Sequence, residues 1–390
     1  MRIILNVDSL RPPLTGIGQY TLHLMRAFQE NPEVEDPVCV PASLSRSASV
    51  DYGTEGQQND PPQGRGYSWQ TLRGIARSMP GSYDLVSWLR QQRFRMAIRK
   101  YRDAVYHEPN YILHSYAGPT NVVTVHDLSH EQYPQYHPKE RVSWLNRNLD
   151  DSVRRADRVI TVSEFVRHEL QQRFPDAAEK IVTVHNGVSE RFHPRTAAET
   201  APVLHQYSLA HGGYVFAAAT LEPRKNLTGL LDAYLGLPLS LREAYPLVVA
   251  GAPGWHSKQL EEKLARAQSS GEVRVLGYVP AQDLASLYAG AALFAFVSFY
   301  EGFGLPVAEA MACGVPVLTS NRASLPEISG DAAALVDPAN IEAITASMQM
   351  LLEDEALRIE YASKGRQRAA LFTWERCAAQ TISVYRSVSS

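Results

Sequence analysis
The chain has 390 residues, 45% of them hydrophobic and 20% charged, with a formal net charge of -3 at pH 7. That length exceeds one typical core and predicts two domains, and the mild acidity argues against a nucleic-acid binder. The three cysteines, Cys39, Cys313 and Cys377, form no CxxC or Cys/His cluster, which fits a reducing compartment and no zinc site.

Arg2 to Val7 is a predicted buried strand that starts at the N-terminus, with no signal peptide ahead of it. No run of about 18 apolar residues is present to span a membrane, so a cytoplasmic address is expected. After Pro12 and Pro13 comes Thr15-Gly16-Ile17-Gly18, then a helical segment from Gln19 to about Gln29. Gly16 and Gly18 read either as a plain turn or as a ligand loop, since doubly wound folds hold ligands between a first strand and a first helix.

Residues 42 to 66, rich in Ser, Gly, Pro, Gln and Asp, read as a loop. From Arg65 to Arg102 nine basic residues face one acid, Asp84, with Trp69, Tyr83, Trp88 and Phe94 interleaved. Such a stretch reads as a surface for anionic lipid, or as a solvated helix face with its aromatics packed inward. Four further strands follow: Ala104–His107, Asn121–Val125, Arg158–Val162 and Lys180–Val184. Each ends in polar residues, His107-Glu108, His126-Asp127, Ser163-Glu164 and His185-Asn186-Gly187, which in a parallel open sheet line one crevice. Of these His126 is singled out as a site candidate, its alternative being a structural histidine. Phe192 to Pro202 reads as a linker, giving a domain of residues 1–195, joined by a C-terminal helix at 373–390, and a domain of residues 203–372.

The second series opens with the strand Tyr214–Ala219 and Thr220-Leu-Glu-Pro-Arg224-Lys225-Asn226, where Asn226 is a predicted N-cap for a helix over Leu227–Leu235. Arg224 and Lys225 then sit beside a helix N-terminus, where a planar fork and a compact charge suit phosphate oxygens. No Asp-x-Asp pair is present on a loop to hold a metal ion instead. Strands over Pro246–Gly251 and Val273–Pro280 follow. An apolar run from Ala291 to Val297 leads into Ser298-Phe-Tyr-Glu301-Gly302-Phe303-Gly304-Leu305-Pro306 and a helix carrying Glu309. Gly302 and Gly304 let the backbone bend and approach a ligand, and the amides of Phe303, Gly304 and Leu305 become the donors of a helix N-terminus. Two acids beside an anion site fit a sugar nucleotide: diphosphate at the helix end, Glu309 on the ribose diol, Glu301 on the sugar. Otherwise they are a solvated loop acid and a helix-start acid favoured by the dipole. Strands over Val315–Thr319 and Ala334–Val336 and a capped terminal helix over Thr373–Tyr385 complete the chain.

Glu301 to Glu309, followed by Ala-Met-Ala-Cys-Gly-Val-Pro-Val, resembles the Glu-x7-Glu signature of retaining glycosyltransferases of family 4, and the resemblance extends over nearly the whole chain. It implies the GT-B fold, two Rossmann-like doubly wound domains facing each other across a cleft, with the terminal helix crossing back onto the first. It implies a donor-facing glycine loop at Gly16 and Gly18, a cleft histidine at His126, diphosphate-binding Arg224 and Lys225, and a base-binding turn at Val279. The reaction implied is transfer of a hexose from a nucleotide-diphospho-sugar with retention, needing no metal and no other cofactor, and no covalent intermediate.

The pattern Val125-His-Asp-Leu, Val162-Ser-Glu-Phe and Glu222-Pro-Arg-Lys-Asn is similar to mannosyl- and rhamnosyltransferases of O-antigen assembly. That implies a GDP-sugar donor and a lipid-linked surface glycan as acceptor, with peripheral membrane contact through 65–102. UDP- and ADP-sugars stay open as donors, as do a sugar-nucleotide epimerase and a non-catalytic nucleotide-binding partner.

Overall fold
In the computed structural model the residues described are 1–11, 14–35, 37–40, 88, 92, 96, 101, 103–114, 120–252, 258–269 and 271–388. The basic stretch 65–102 and the loop 42–66 fall almost wholly outside them. The chain forms two compact units, Met1–Gly187 with Trp374–Ser390, and Val188–Thr373. The second unit therefore begins at Val188, earlier than the expected 203. The expected linker lies inside it, part of it in a helix over Ala197–Gln206. Thr196 and Glu199 form a reciprocal capping box that fixes the first turn of that helix, despite Pro202 within it.

The first unit is built on a six-stranded sheet: β1 (Ile3–Asn6), β2 (Val38–Val40), β3 (Val105–Glu108), β4 (Thr120–Val125), β5 (Arg158–Thr161) and β6 (Ile181–Thr183). Every pairing is parallel and the order is β2-β1-β3-β4-β5-β6. Both faces are covered, as continuous apolar strands require. One face packs on the Gly16–Glu30 helix and the terminal Trp374–Arg386 helix through Tyr20, Leu24, Phe28, Trp374 and Tyr385. The other packs on the Lys139–Arg155 helix through Leu145, Leu149 and Val153. The short edge strand β2 was not expected from sequence.

The second unit repeats the plan with β7 (Val215–Ala218), β8 (Leu247–Ala250), β9 (Val273–Gly277), β10 (Leu293–Phe296), β11 (Val317–Ser320) and β12 (Ala334–Val336). Its order is β12-β11-β10-β7-β8-β9, again all parallel. In each sheet the winding reverses beside the first strand, between β1 and β3 and between β7 and β10. The carboxyl ends of two neighbouring strands diverge there and leave a crevice. Arg224 and Lys225 follow β7, and Glu301 follows β10, so topology alone delivers all three to one place.

Candidate active site
The loops after β7 and β10 are stitched together by their backbones. The Phe299 amide donates to the Arg224 carbonyl at 3.0 Å, and the Arg224 guanidinium donates to the Tyr300 carbonyl at 2.5 Å. Asn226 does sit just before the Leu227–Leu235 helix, but its side chain does not cap that helix. It adopts a left-handed conformation (φ 54°), which asparagine tolerates, and its amide donates to the buried carbonyls of Val297 at 3.2 Å and Pro338 at 2.7 Å. Those carbonyls, rather than the helix amides, set its orientation.

On this frame Lys225, Arg224 and Glu301 form one buried ionic group. The Lys225 ammonium and the Ser298 hydroxyl both donate to Glu301 Oε1 at 2.7 Å, and Arg224 Nη1 lies 3.4 Å from Oε2. Glu222 stands 3.7 Å from the far side of Arg224. Burial by itself would push the Glu301 carboxyl up, but the Lys225 and Arg224 charges outweigh it and hold the group below the usual carboxylate range. Burial likewise lowers the Lys225 ammonium, with Glu301 opposing. The site is thus pre-charged and rigid, with its cations braced by acids before any anion arrives.

The Gly302–Leu305 turn is equally fixed. Ser324 places its hydroxyl 2.9 Å from the carbonyls of both Glu301 and Phe303. The Phe303 ring is buried edge-on against Phe372 at 5.5 Å. Gly304 precedes the Leu305–Ala312 helix at φ 100°, where a side chain would be strained and its Cβ would lie 2.6 Å from Leu325. The helix starts at Leu305, which puts Pro306 at its second position rather than its first. Its N-terminus lies at the same strand end as Glu301, although Pro306 has no amide to offer and the amides of Val307 and Ala308 already donate to the Gly304 carbonyl at 3.0 and 3.2 Å.

Glu309, on the same helix, does not join the ionic group. It is half-buried, with the Tyr288 hydroxyl and the Arg191 charge acting on it. Burial pushes its carboxyl up to about 7, and Tyr288 and Arg191 pull against that rise. Val279 is buried beyond the end of β9, between exposed Tyr278 and Pro280, which precedes the Ala281–Ala289 helix. A bend at Tyr278 follows the edge strand there.

In the first unit the glycines are not a loop. Gly16 is the first residue of the Gly16–Glu30 helix, and the Thr15 hydroxyl caps it by accepting from the Gly18 amide at 3.4 Å. Gly18 is required for close packing, since a Cβ would lie 2.9 Å from the Ser9 carbonyl. His126 is buried, its Nε2 donating to the Pro109 carbonyl at 2.7 Å and its ring edge-on to Tyr20. Burial lowers its pKa, which keeps the imidazole neutral. His107, expected to line the crevice, instead ties β3 to β4 and to the terminal helix, through Thr124 at 2.8 Å and the Tyr385 hydroxyl at 2.6 Å. Glu108, which sequence reasoning did not single out, lies at the first sheet's winding reversal. It accepts from Asn6 at 2.6 Å and Tyr106 at 2.7 Å, and burial raises it to about 8. Its signal was available: an acid at the end of a wholly buried strand.

Two braced cations and a helix N-terminus at the winding reversal of a doubly wound unit form a positively charged corner of the kind where anions are held. Comparison with known proteins defines the class. A family model described as glycosyl transferases group 1 matches residues 211–368, and one described as glycosyltransferase family 4 matches residues 14–192. The chain is 39% identical over 387 residues to the O-antigen chain mannosyltransferase B of Escherichia coli, covering 99% of this chain and 100% of that protein. It is 33% identical over 247 residues to the serotype-specific mannosyltransferase WbdA of Escherichia coli, which spans 62% of this chain and 30% of that one. Sucrose-phosphate synthase from Thermosynechococcus elongatus shares the fold with a TM-score of 0.71 at 21% identity, covering 100% and 99% of the two chains. The chain belongs to glycosyltransferase family 4 and has the GT-B fold; it is a hexosyltransferase.

Proposed function
We propose that this enzyme transfers mannose from GDP-mannose, with retention and without a metal ion, to a growing lipid-linked O-antigen glycan. The observation that supports it best is the Arg224–Lys225–Glu301 group at the winding reversal of the second unit. Breaking the bond between the anomeric carbon and the diphosphate develops negative charge on the leaving oxygens. Arg224, Lys225 and the amides of the Gly302–Leu305 turn stabilise that charge with dipoles and cations already in place. In this role they replace a divalent cation. Glu301 keeps the two cations together and offers Oε2 to a sugar hydroxyl. Glu309 takes the ribose diol, and the backbone at Val279 reads the base. His126, neutral and with Nε2–H committed to Pro109, accepts a hydrogen bond from a sugar hydroxyl through Nδ1; Gly16 and Gly18, at the start of the first unit's helix, are assigned to the donor phosphates.

Neither acid is free to act as a nucleophile, Glu301 being engaged by Lys225 and Ser298. Retention then follows a front-face route: the acceptor hydroxyl attacks on the side the diphosphate leaves, and its proton passes to the departing phosphate oxygen. The 39% identity to an O-antigen mannosyltransferase supports the choice of sugar and acceptor. Among the described residues no helix is long and apolar enough to cross a membrane. Peripheral contact with an anionic membrane is proposed for the stretch 65–102, which carries nine Arg and Lys residues against one acid. Thermal-shift titration with GDP, UDP, ADP and dTDP and their sugars tests the donor: stabilisation by GDP and GDP-mannose is expected, and stabilisation by UDP or ADP alone overturns it. Conversion of the sugar nucleotide with no acceptor present would instead mark an epimerase.

A further inference from the structure
Ser324 has no part in the roles assigned above; it lies in the loop between β11 and a short helix over Leu325–Ser329. We propose that Ser324 is a positioning residue for the donor's diphosphate: by holding two carbonyls of the turn after β10, it aims the Gly302 and Gly304 amides at a phosphate. The inference rests on the reading of the Gly302–Leu305 turn as the diphosphate site.

Ser324 is fully buried and occupies the N-cap position of the Leu325–Ser329 helix. A serine there ordinarily turns its oxygen onto the first amides of its own helix. This one makes no such bond. Its hydroxyl instead lies 2.9 Å from the Glu301 carbonyl and 2.9 Å from the Phe303 carbonyl, in the loop of a different strand. One hydroxyl has one proton, so the two carbonyls share it and are held on the same side of the turn. The loop that presents Ser324 is itself tied down. The Asn321 amide donates to the Val336 carbonyl at 2.8 Å, the Arg322 amide to the Ser320 hydroxyl at 3.1 Å, and the Arg322 guanidinium to Asp337 at 2.8 Å. Ala323 sits at φ 55°, a left-handed conformation that is unfavourable for alanine and persists only where its surroundings dictate it. That bend falls one residue before Ser324 and delivers its hydroxyl to the turn.

A peptide unit is planar and trans, so the amide of the next residue points opposite to each carbonyl. With the Glu301 and Phe303 carbonyls drawn to Ser324, the amides of Gly302 and Gly304 point away from it. Gly304 is left-handed and Leu305 begins a helix, a succession that turns neighbouring amides towards one concavity. Gly304 is buried, and among the described residues its amide donates to no atom. A buried amide with no acceptor is costly, and a ligand oxygen answers it. Glu301, in the same turn, is assigned to the sugar, so these amides fall to the phosphate that carries the sugar. That is the phosphate GDP has and GMP lacks.

The test is the Kd of GDP and of GMP, by titration calorimetry, for wild type, Ser324→Ala and Ser324→Cys, with kcat and KM measured alongside. Wild type should favour GDP by about tenfold or more. Ser324→Ala should weaken GDP about tenfold, the loss of one hydrogen bond to a charged group, and leave GMP within about twofold. Its kcat with GDP-mannose should fall about 10- to 10²-fold while the acceptor KM holds, because the aimed amides serve the leaving phosphate. Ser324→Cys fills a similar space with a weaker donor and should fall between the two; it answers the question if the alanine variant folds poorly. An unchanged ratio of GDP to GMP affinity in these variants, whether or not the melting temperature drops, overturns the proposal. Failure of wild type itself to prefer GDP would instead refute the diphosphate role of the turn.

Discussion

Lys225 and Glu301 can be removed singly or together, and the three variants separate stability from chemistry. At their 2.7 Å separation, Coulomb attraction at an effective dielectric of 20 amounts to about 6 kcal/mol. Desolvating two ions opposes this by several kcal/mol each, so the pair contributes little net stability although each partner depends on the other. Lys225→Met leaves Glu301 with only Arg224, 3.4 Å away, and Ser298. Glu301→Met leaves two cations side by side in a largely dry site. Each single change should cost about 3–5 kcal/mol. The double variant, an apolar pair of similar volume, should recover about 2–3 kcal/mol relative to the sum. Urea unfolding followed by circular dichroism gives the totals, and hydrogen exchange over residues 215–336 should place the loss in the second unit. Turnover should fall about 10²–10³-fold in Lys225→Met and stay down in the double variant, because restored stability does not restore the charge that receives the leaving diphosphate. Single effects that add to within about 0.5 kcal/mol would refute a coupled ionic group. Near-normal turnover in the double variant would refute its catalytic use.

Three other outcomes follow from the packing and the buried charges. Gly304→Ala should lose about 2–3 kcal/mol of second-unit stability and weaken GDP binding, since a side chain is strained at φ 100° and the buried Leu325 methyl, 2.6 Å from a Cβ, would have to shift; an unchanged melting temperature contradicts this. Gly18→Ala should lower the first unit's stability by about 1–3 kcal/mol through its clash with the Ser9 carbonyl, and an unchanged melting temperature contradicts this. Glu108 titrates near 8 in the folded chain and 4.5 when unfolded, so the folded state holds an extra proton between those values and loses stability as pH rises through them. Glu108→Gln is neutral throughout, so its melting temperature relative to wild type should climb from pH 5 to pH 8; a constant difference would show that Glu108 is ionised in the fold.

The strands were legible because parallel strands buried on both faces are unbroken apolar runs, and the site loops were legible because each ends such a run with polar residues. Gly304 and Pro306 marked the helix start to within one residue, since only glycine suits the turn and proline suits the first turn of a helix. The legibility failed wherever a side chain answers to partners far along the chain. Asn226 looks like a cap locally, but two carbonyls 71 and 112 residues away claim its amide. His107 looks like a crevice residue until Tyr385, 278 residues on, takes its ring nitrogen. The Ala197–Gln206 helix, by contrast, was announced by Thr196-x-x-Glu199 and was obscured only by Pro202.

The most direct test of the account is the anomeric configuration of the product formed by the purified enzyme from GDP-mannose and a mannose-terminated lipid-linked acceptor, in excess EDTA, followed by NMR. The account predicts a newly formed α-mannosidic bond, the donor's own configuration, at an undiminished rate. A β-linked product, or no transfer until a divalent cation is restored, would contradict it.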